Sequence, residues 1–552
     1  TAAYDTEGGE SSFTLRYPAA AGYGEPYSPT HSLVVRTSGD MRTVGVDGSA
    51  RDITILLPVA RSKQPAISVL TTAPSGERGY ALITIAPPAV LPQPLPRDVT
   101  FVVDVSGSMS GRKIAQAREA GKALLATLSP RDRFRLIDFD TDVRTFRDSL
   151  SEATPANVEA ADRYLDGLEA HGSTNIDGAL RAALGSGTAG AASDDGERVQ
   201  LVLFLTDGEP TVGERDPQTL SKLASSIRGA RHVFTFGLGA DVNASLLEQL
   251  ALQGHGATSF VRPDENIERA VSVAASRLRD PVLTDVHVEA EGISFSSVMP
   301  TTIPDLFAGQ SIVLLARYQG NGHATIRVSG RAAHGPESWT HQADFPDRST
   351  DNAFIPRLWA TQRIGWLSAA RRAQGPSPEV DAEIKELGER YGIPTELTSY
   401  LVREPVTVGG GMPIPVPAPT MVGGRRGDVA ANAPSREIRF EAAKQATAMR
   451  ASASLAAADS VADAYAAASP QSPSVRRVGD RVFELKPDSS VWTDRGYKPG
   501  MRRIRIQAFS AAYFEVLQTL PELRAAFALG DNVVVAGRAA AIEVTTDTGA
   551  AT

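Results

Sequence analysis

The sequence predicts a multidomain α/β plus β protein. It has a doubly wound parallel α/β unit at its centre, strand-rich segments before and after it, and helical and small α+β regions toward the C-terminus. Three observations carry this expectation. The chain has 552 residues, and at roughly 100–200 residues per domain that length gives about three to five units. Between residues 98 and 280, short apolar runs alternate with stretches of helical period, as in a parallel sheet covered by helices. Residues 1–96 and 281–348 instead carry short alternating runs separated by Gly, Pro, Asp and Ser.

Taken in order, residues 1–96 predict strands at 32–36, 52–57, 66–71 and 81–85, and the Pro-rich run 87–96 reads as a semi-rigid connector. The central unit predicts strands at 99–103, 133–139, 199–206, 232–237 and 258–261. Helices are predicted at 113–128, 154–168, 176–184, 218–228, 243–252 and 266–279. The runs 99–103 and 199–206 are almost wholly apolar, as expected for strands buried on both faces. Strands return at 286–289, 311–318 and 324–329, followed by helices at 355–371 and 379–390 within a helical region spanning 349–404. Residues 405–436 are Pro/Gly-rich and read as a linker, and 437–470 as one Ala-rich helix. Residues 471–552 predict a small α+β unit with strands near 481–485, 502–508, 532–535 and 541–545 and a helix over 511–528. No internal repeat is visible.

Composition narrows the function. Hydrophobic residues at 42% and charged residues at 22% are ordinary globular values, so disorder, collagen and coiled coil fail as descriptions of the whole. Lys+Arg is 56 against Asp+Glu 64, a net charge of -8. That provides no overall basic field for nucleic acid. The absence of cysteine excludes disulfides, thiol catalysis, Fe–S clusters and Cys-ligated zinc. No apolar run approaches the roughly 18–20 residues that span a bilayer. The chain starts at Thr1 with no signal peptide or initiator Met, so it is expected to be a processed or truncated product. Abundant Ala and Arg with scarce Lys point to a GC-rich bacterial genome.

One constellation carries chemistry. Asp104-Val105-Ser106-Gly107-Ser108 follows an apolar strand and precedes a helix. In an open α/β sheet, ligands bind beyond the carboxyl ends of the strands, where Asp104 is placed. Gly107 allows a tight turn that points both hydroxyls at one spot. Thr174, in His171-Gly172-Ser173-Thr174-Asn175, and Asp207, in Leu205-Thr206-Asp207-Gly208, are expected at the same rim. Two carboxylates and three hydroxyls are hard oxygen donors, suited to Mg²⁺ or Mn²⁺. Neutral hydroxyls leave the ion much of its charge, so it has affinity for a carboxylate from outside.

This set resembles the metal-ion-dependent adhesion site of von Willebrand factor A domains. The resemblance covers about residues 97–280, with all five metal positions filled: Asp104, Ser106, Ser108, Thr174 and Asp207. Glu209 follows at the rim as a candidate ligand-binding residue. The flanks narrow the resemblance. The run "DVTFVVDVSGSMSGRK" at 98–113, "LWATQRIGWL" at 358–367 and "LGERYGIPTELTSYLV" at 387–402 resemble the inter-alpha-trypsin inhibitor heavy chains and their bacterial relatives. Those proteins carry a β-rich VIT domain ahead of the A domain. "FTLRYP" at 13–18 is similar to its tail, so residues 1–96 are expected to hold the end of a VIT-like domain and the first part of a β-sandwich. The heavy chains' Asp-Pro-His-Phe motif is absent, so covalent attachment to glycosaminoglycan is not carried over.

In the family the A domain's termini lie close together, opposite the metal. The resemblance therefore implies that the strands of 1–96 and 281–348 form one β-sandwich into which the A domain is inserted. The function implied is a metal-dependent, adhesion-type protein-binding scaffold without enzyme activity. A divalent cation (Mg²⁺, with Mn²⁺ or Ca²⁺ as alternatives) would bind an Asp or Glu of a partner. The expected location is exported, periplasmic or at the cell surface. Two other readings remain open at this stage: a structural subunit of a membrane-associated complex docking through its flanking domains, and a cytoplasmic partner of an AAA+ ATPase.

Other motifs have plainer readings. Asp138 and Asp140 are expected to be a solvated strand end, and Asp194-Asp195 a solvated loop. His171 reads as a loop residue near Thr174. No His-Glu-x-x-His, P-loop or nucleophile elbow with ordered partners occurs. Arg426-Gly427-Asp428 is a tripeptide match of the kind chance supplies. Trp359 and Trp366, seven apart on one predicted helix, read as core. The Ala-rich helix is expected to pack against its own chain.

Overall fold

Among the described residues, three N-terminal strands pair only with one another. The computed structural model describes residues 12–47, 53–58, 64–88, 94–185, 198–262, 264–308, 310–397, 436–468, 475–478, 481–485, 491–520, 523–537 and 540–546. They divide into two compact units, one drawn from 1–384 and 440–463, the other from 385–439 and 464–552.

In the first unit, β1 (Ser12–Pro18), β2 (Val34–Ser38) and β3 (Met41–Asp47) form an antiparallel sheet in the order β1-β3-β2. β4 (Ala66–Thr72) and β5 (Gly79–Ala86) belong to a different sheet, and β5 is buried along its length.

The chain then enters the α/β unit. Its strands are β6 (Arg97–Asp104), β7 (Arg133–Phe139), β8 (Val143–Thr145), β9 (Ser151–Glu152), β10 (Val199–Thr206), β11 (His232–Leu238) and β12 (Thr258–Val261). Its helices are α1 (Arg112–Leu125), α2 (Pro155–Asp166), α3 (Ile176–Leu184), α4 (Pro217–Ile227), α5 (Ala244–Gln253) and α6 (Ile267–Arg277). The sheet order is β12-β11-β10-β6-β7-β8, parallel from β12 to β7. The short β8 and β9 pair antiparallel with β7 and were not predicted.

The predicted double winding is present. On one face Phe101, Leu203 and Phe134 pack with residues of α1, α2 and α6. On the other Val102, Phe204 and Phe139 pack with residues of α3, α4 and α5. The alternation along β6 and β10 feeds both cores, which is why these strands are apolar throughout. Thr154 and Asn175 start α2 and α3 by accepting N–H bonds from Asn157 and Gly178.

Beyond the α/β unit come β13 (Pro281–Glu291), β14 (Ser294–Met299), β15 (Leu306–Phe307), β16 (Ile312–Gln319), β17 (Gly322–Ala332) and β18 (Gly335–Phe345). β16 lies beside β5, with Ile312 opposite Ile85, in a sheet of order β14-β16-β5-β4. The facing sheet has the order β15-β13-β17-β18. Ile83 and Ile85 of β5 share a core with Val282, Leu283, Leu314 and Val328. Strands from both sides of the α/β unit thus build one sandwich, and the α/β unit is an insertion. β14 and β18 escaped prediction. β18, "GPESWTHQADF", is too polar to register as a strand, because it shows one face to solvent.

α7 (Ile355–Gln374) lies against the sandwich. Trp359 is buried, stacks edge-on with Tyr80 at 5.6 Å, and donates its Nε1–H to Ser297 O at 2.9 Å. Trp366 is half-buried beneath the Arg450 guanidinium. α8 (Pro378–Tyr391) follows. The linker read at 405–436 lies outside the described residues except for its last one. The single Ala-rich helix is instead two, α9 (Arg436–Arg450) and α10 (Leu455–Ala468). They part at Ala451-Ser452-Ala453-Ser454, where two serines interrupt the good helix formers. α9 packs on its own chain as expected: Phe440 sits in the α/β core, 5.6 Å from Phe260.

The second unit holds β19 (Val475–Val478), β20 (Arg481–Leu485), β21 (Trp492–Asp494), β22 (Arg502–Gln507), α11 (Ala511–Thr519), α12 (Arg524–Phe527), β23 (Val533–Ala536) and β24 (Ala540–Thr545). One sheet, β19-β20-β21-β23-β24-β22, packs Phe483, Trp492 and Val533 against Tyr513 and Phe527. The helix predicted over 511–528 appears as the separate α11 and α12. No helix among the described residues is long and apolar enough to cross a membrane.

Candidate metal site

β6 ends at Asp104 and β10 at Thr206, and the two strands run parallel with Val103 opposite Leu205. That register delivers Asp104 and the Thr206-Asp207 pair side by side at the carboxyl edge. Both carboxylates are fully buried. Asp104 turns the chain sharply: its Oδ1 accepts from Ser106 N at 2.8 Å, and Thr206 Oγ1 donates to its Oδ2 at 2.5 Å. Gly107–Met109 form a single tight turn anchored by buried Met109. The turn sets Ser106 Oγ 3.1 Å from Ser108 Oγ, and Ser108 Oγ donates to Asp207 Oδ1 at 2.7 Å.

The Thr174 loop is tied to this turn through its backbone. His171 N donates to Val105 O at 2.8 Å, and Gly107 N to Gly172 O at 3.1 Å. Thr174 N donates to Thr211 Oγ1 at 2.8 Å, and Thr174 O accepts from Thr211 N at 2.9 Å. Gly172 has φ +71, and a Cβ there would lie 2.9 Å from Thr141 Oγ1, so only glycine fits without strain. The Thr174 side chain is buried. A Cβ placed on Gly208 would stand 3.5 Å from Thr174 Oγ1 and 4.0 Å from Ser108 Oγ. The two hydroxyls therefore flank the residue after Asp207, and all five sequence-chosen residues meet at one edge.

The electrostatics favour a cation. Burial pushes the Asp104 carboxyl up to about 6, and the charge of Asp207 adds to this, against the hydrogen bonds from Thr206 and Ser106. Lys113 Nζ contacts Asp207 Oδ2 at 2.5 Å. With both carboxylates ionised, one ammonium leaves the cluster one negative charge in excess. No group of three or more His, Cys, Asp or Glu side chains placed to hold a metal occurs among the described residues. A cation at this edge would have to use hydroxyls together with two carboxylates. The donor set fits a hard divalent ion.

The remaining predicted residues fall as follows. Glu209 is exposed. Asp138 and Asp140 are not a solvated strand end: both are buried. Arg144 of the β7–β8 hairpin folds back to pair with Asp138 at 2.8 Å and Asp140 at 3.0 Å. Tyr164 donates to Asp138. His171 does more than fill a loop, since its Nδ1 lies 2.6 Å from Asp140 Oδ2. Burial raises the Asp140 carboxyl, but Arg144 and the N–H of Asp142 outweigh it and hold it below its usual range. Asp194, Asp195 and Arg426-Gly427-Asp428 lie outside the described residues. Sequence reasoning passed over Thr206, Lys113, Thr141 and Thr211. The first two sit inside or next to the motifs already quoted, whereas Thr141 and Thr211 carried no signal.

Comparison with known proteins agrees with the geometry. Residues 97–260 match the model of the von Willebrand factor type A domain. Over 345 residues the chain is 31% identical to inter-alpha-trypsin inhibitor heavy chain H4 of Homo sapiens, covering 60% of this chain and 37% of that protein. Over 372 residues it is 31% identical to heavy chain H3 of Rattus norvegicus, covering 64% and 41%. The chain spans about two fifths of the length of these curated relatives. A solved von Willebrand factor type A protein from Catenulispora acidiphila superposes with a TM-score of 0.45 at 16% identity, covering 60% of this chain and 88% of that one. Over residues 97–260 the chain is thus similar to von Willebrand factor type A domains, and over a longer stretch to the inter-alpha-trypsin inhibitor heavy chains.

Proposed function

We propose that this chain is a metal-dependent protein-binding scaffold. Asp104, Ser106, Ser108, Thr174 and Asp207 would hold a divalent cation, Mg²⁺ in the simplest case, and an Asp or Glu of a partner protein would complete its shell. The observation that carries this reading is the meeting of two fully buried carboxylates with three hydroxyls at one strand edge. Bound there, the cation supplies Lewis-acid attraction for an outside carboxylate. The chain's own part is orientation. Thr206 and the Ser106 N–H fix Asp104, Ser108 fixes Asp207, and the 171–174 backbone fixes Thr174. The reading assigns no catalytic step, and it includes an exported location, periplasmic or at the cell surface.

The test is capture of partners by the full chain from its native host, in Mg²⁺ and in EDTA, with Asp104→Ala as control. The reading expects one set of proteins held in Mg²⁺ and lost both with EDTA and in the variant, whose circular dichroism stays native. The same set retained under all three conditions overturns it.

A further inference from the structure

Lys113 lies in the first turn of α1, five residues past Ser108. Its Nζ donates to Asp207 Oδ2 at 2.5 Å and to Ser108 O at 3.3 Å. The Asp207 side chain is fully buried, whereas that of Lys113 is 30% exposed. The same lysine also lines a cavity of about 250 Å³ together with Arg112, Gln116, Leu238, Val261 and Arg262, the last of which is paired with Glu441. One ammonium thus stands between the donor cluster and an open space that can receive it.

An ammonium and a divalent ion satisfy Asp207 by the same Coulombic attraction. Both together would set three positive charges against the two of Asp104 and Asp207, and like charges a few ångströms apart in a buried site repel strongly. The lysine is the mobile party, because it is a point charge on a flexible four-carbon stem. We propose that Lys113 is a built-in counter-cation of Asp207 that a divalent ion displaces into the adjoining cavity. This rests on the reading that the five donors hold such an ion. By linkage, the lysine weakens cation binding by the same factor by which the cation weakens the Lys113–Asp207 pair. Loading the cation also brings a third positive group beside Arg112 and Arg262 in the cavity, next to the place where an acidic partner would dock.

The experiment is titration calorimetry of MgCl₂ into the full wild-type chain, Lys113→Met and Lys113→Arg. It is paired with acetic-anhydride labelling of the wild type with and without Mg²⁺, read by mass spectrometry. Lys113→Met should bind Mg²⁺ about tenfold tighter, equivalent to about 1.4 kcal/mol. Lys113→Arg should stay near wild type. Labelling of Lys113 should rise several-fold with Mg²⁺ while that of Lys122 stays constant. Equal or weaker binding by Lys113→Met, or Lys113 labelling that does not rise, overturns the exchange and leaves the metal reading standing. If no chain binds Mg²⁺, both fall. The wild-type labelling arm decides the matter even if Lys113→Met folds poorly.

Discussion

The hydroxyl of Ser108 reaches Oδ1 of Asp207 at 2.7 Å although 99 residues of chain separate them. The parallel register of β6 and β10 closes that distance, by ending two buried strands side by side. The tight turn after Asp104 then aims the serine across the gap. Ser108→Ala removes one donor and frees Asp207 from one bond. Stability should change by only about 1 kcal/mol. Mg²⁺ affinity should fall at least about tenfold, the scale seen even for partners outside the first shell of a metal. Calorimetry beside a thermal melt checks both, and a Mg²⁺ affinity that stays at the wild-type value would contradict the assignment.

Gly172 is the hinge of the Thr174 loop. At φ +71, with Thr141 Oγ1 only 2.9 Å from where a Cβ would stand, Gly172→Ala should destabilise the protein by about 1–3 kcal/mol. It should also weaken cation binding by moving Thr174. Gly76→Ala is the control, with positive φ but open space around it, and it should lower stability without touching cation affinity.

At the opposite edge of the sheet Arg97 and Asp132 form a buried pair. Arg97 N and Nη2 each donate to Asp132 at 2.7 Å. Burial raises the Asp132 carboxyl, but the guanidinium and the N–H groups of Ser129 and Arg97 outweigh it, and its pKa is lowered. A carboxyl lowered in the folded state contributes stability above its unfolded value of about 3.9 and loses that contribution as pH falls through the folded value. Asp132→Ala should cost about 3–5 kcal/mol at pH 7 by leaving Arg97 buried and unpaired. Asp132→Asn should flatten the fall in melting temperature below about pH 4. An unchanged acid limb in Asp132→Asn would contradict the assignment.

How much of this was legible depended on where the chemistry sits along the chain. The α/β unit could be read because β6 and β10 are apolar on both faces and because stretches of helical period alternate with its strands. The five site residues could be read because each falls in a short motif, at a strand end for Asp104, Ser106, Ser108 and Asp207 and just before α3 for Thr174. What depends on the far side of a fold could not be read. Asp138 and Asp140 looked solvated because Arg144, which covers them, acts through a hairpin too short to predict. β18 looked like loop because half its residues face water. Lys113 was visible in the motif, but its partner lies 94 residues away.

Glu248 joins three helices. It is buried on α5 and accepts from Arg372 of α7 at 2.9 Å and Arg450 of α9 at 2.7 Å. Glu248→Gln leaves two guanidinium groups without their counter-charge, one of them almost fully enclosed. A loss of about 3–5 kcal/mol is expected, with faster amide exchange across 440–450. Exchange that stays at the wild-type rate there would show that the other contacts of α9, the buried Phe440 and the Arg262–Glu441 and Lys444–Glu265 pairs, suffice to hold it.

The central claim is that one hard divalent ion sits among five named oxygen donors. The most direct measurement is anomalous diffraction from crystals of the full chain grown with Mn²⁺. The account predicts a single strong peak within coordination distance of donors from Asp104, Ser106, Ser108, Thr174 and Asp207, absent from crystals of Asp207→Ala. No peak at that edge under saturating Mn²⁺, or one that survives Asp207→Ala, would contradict it.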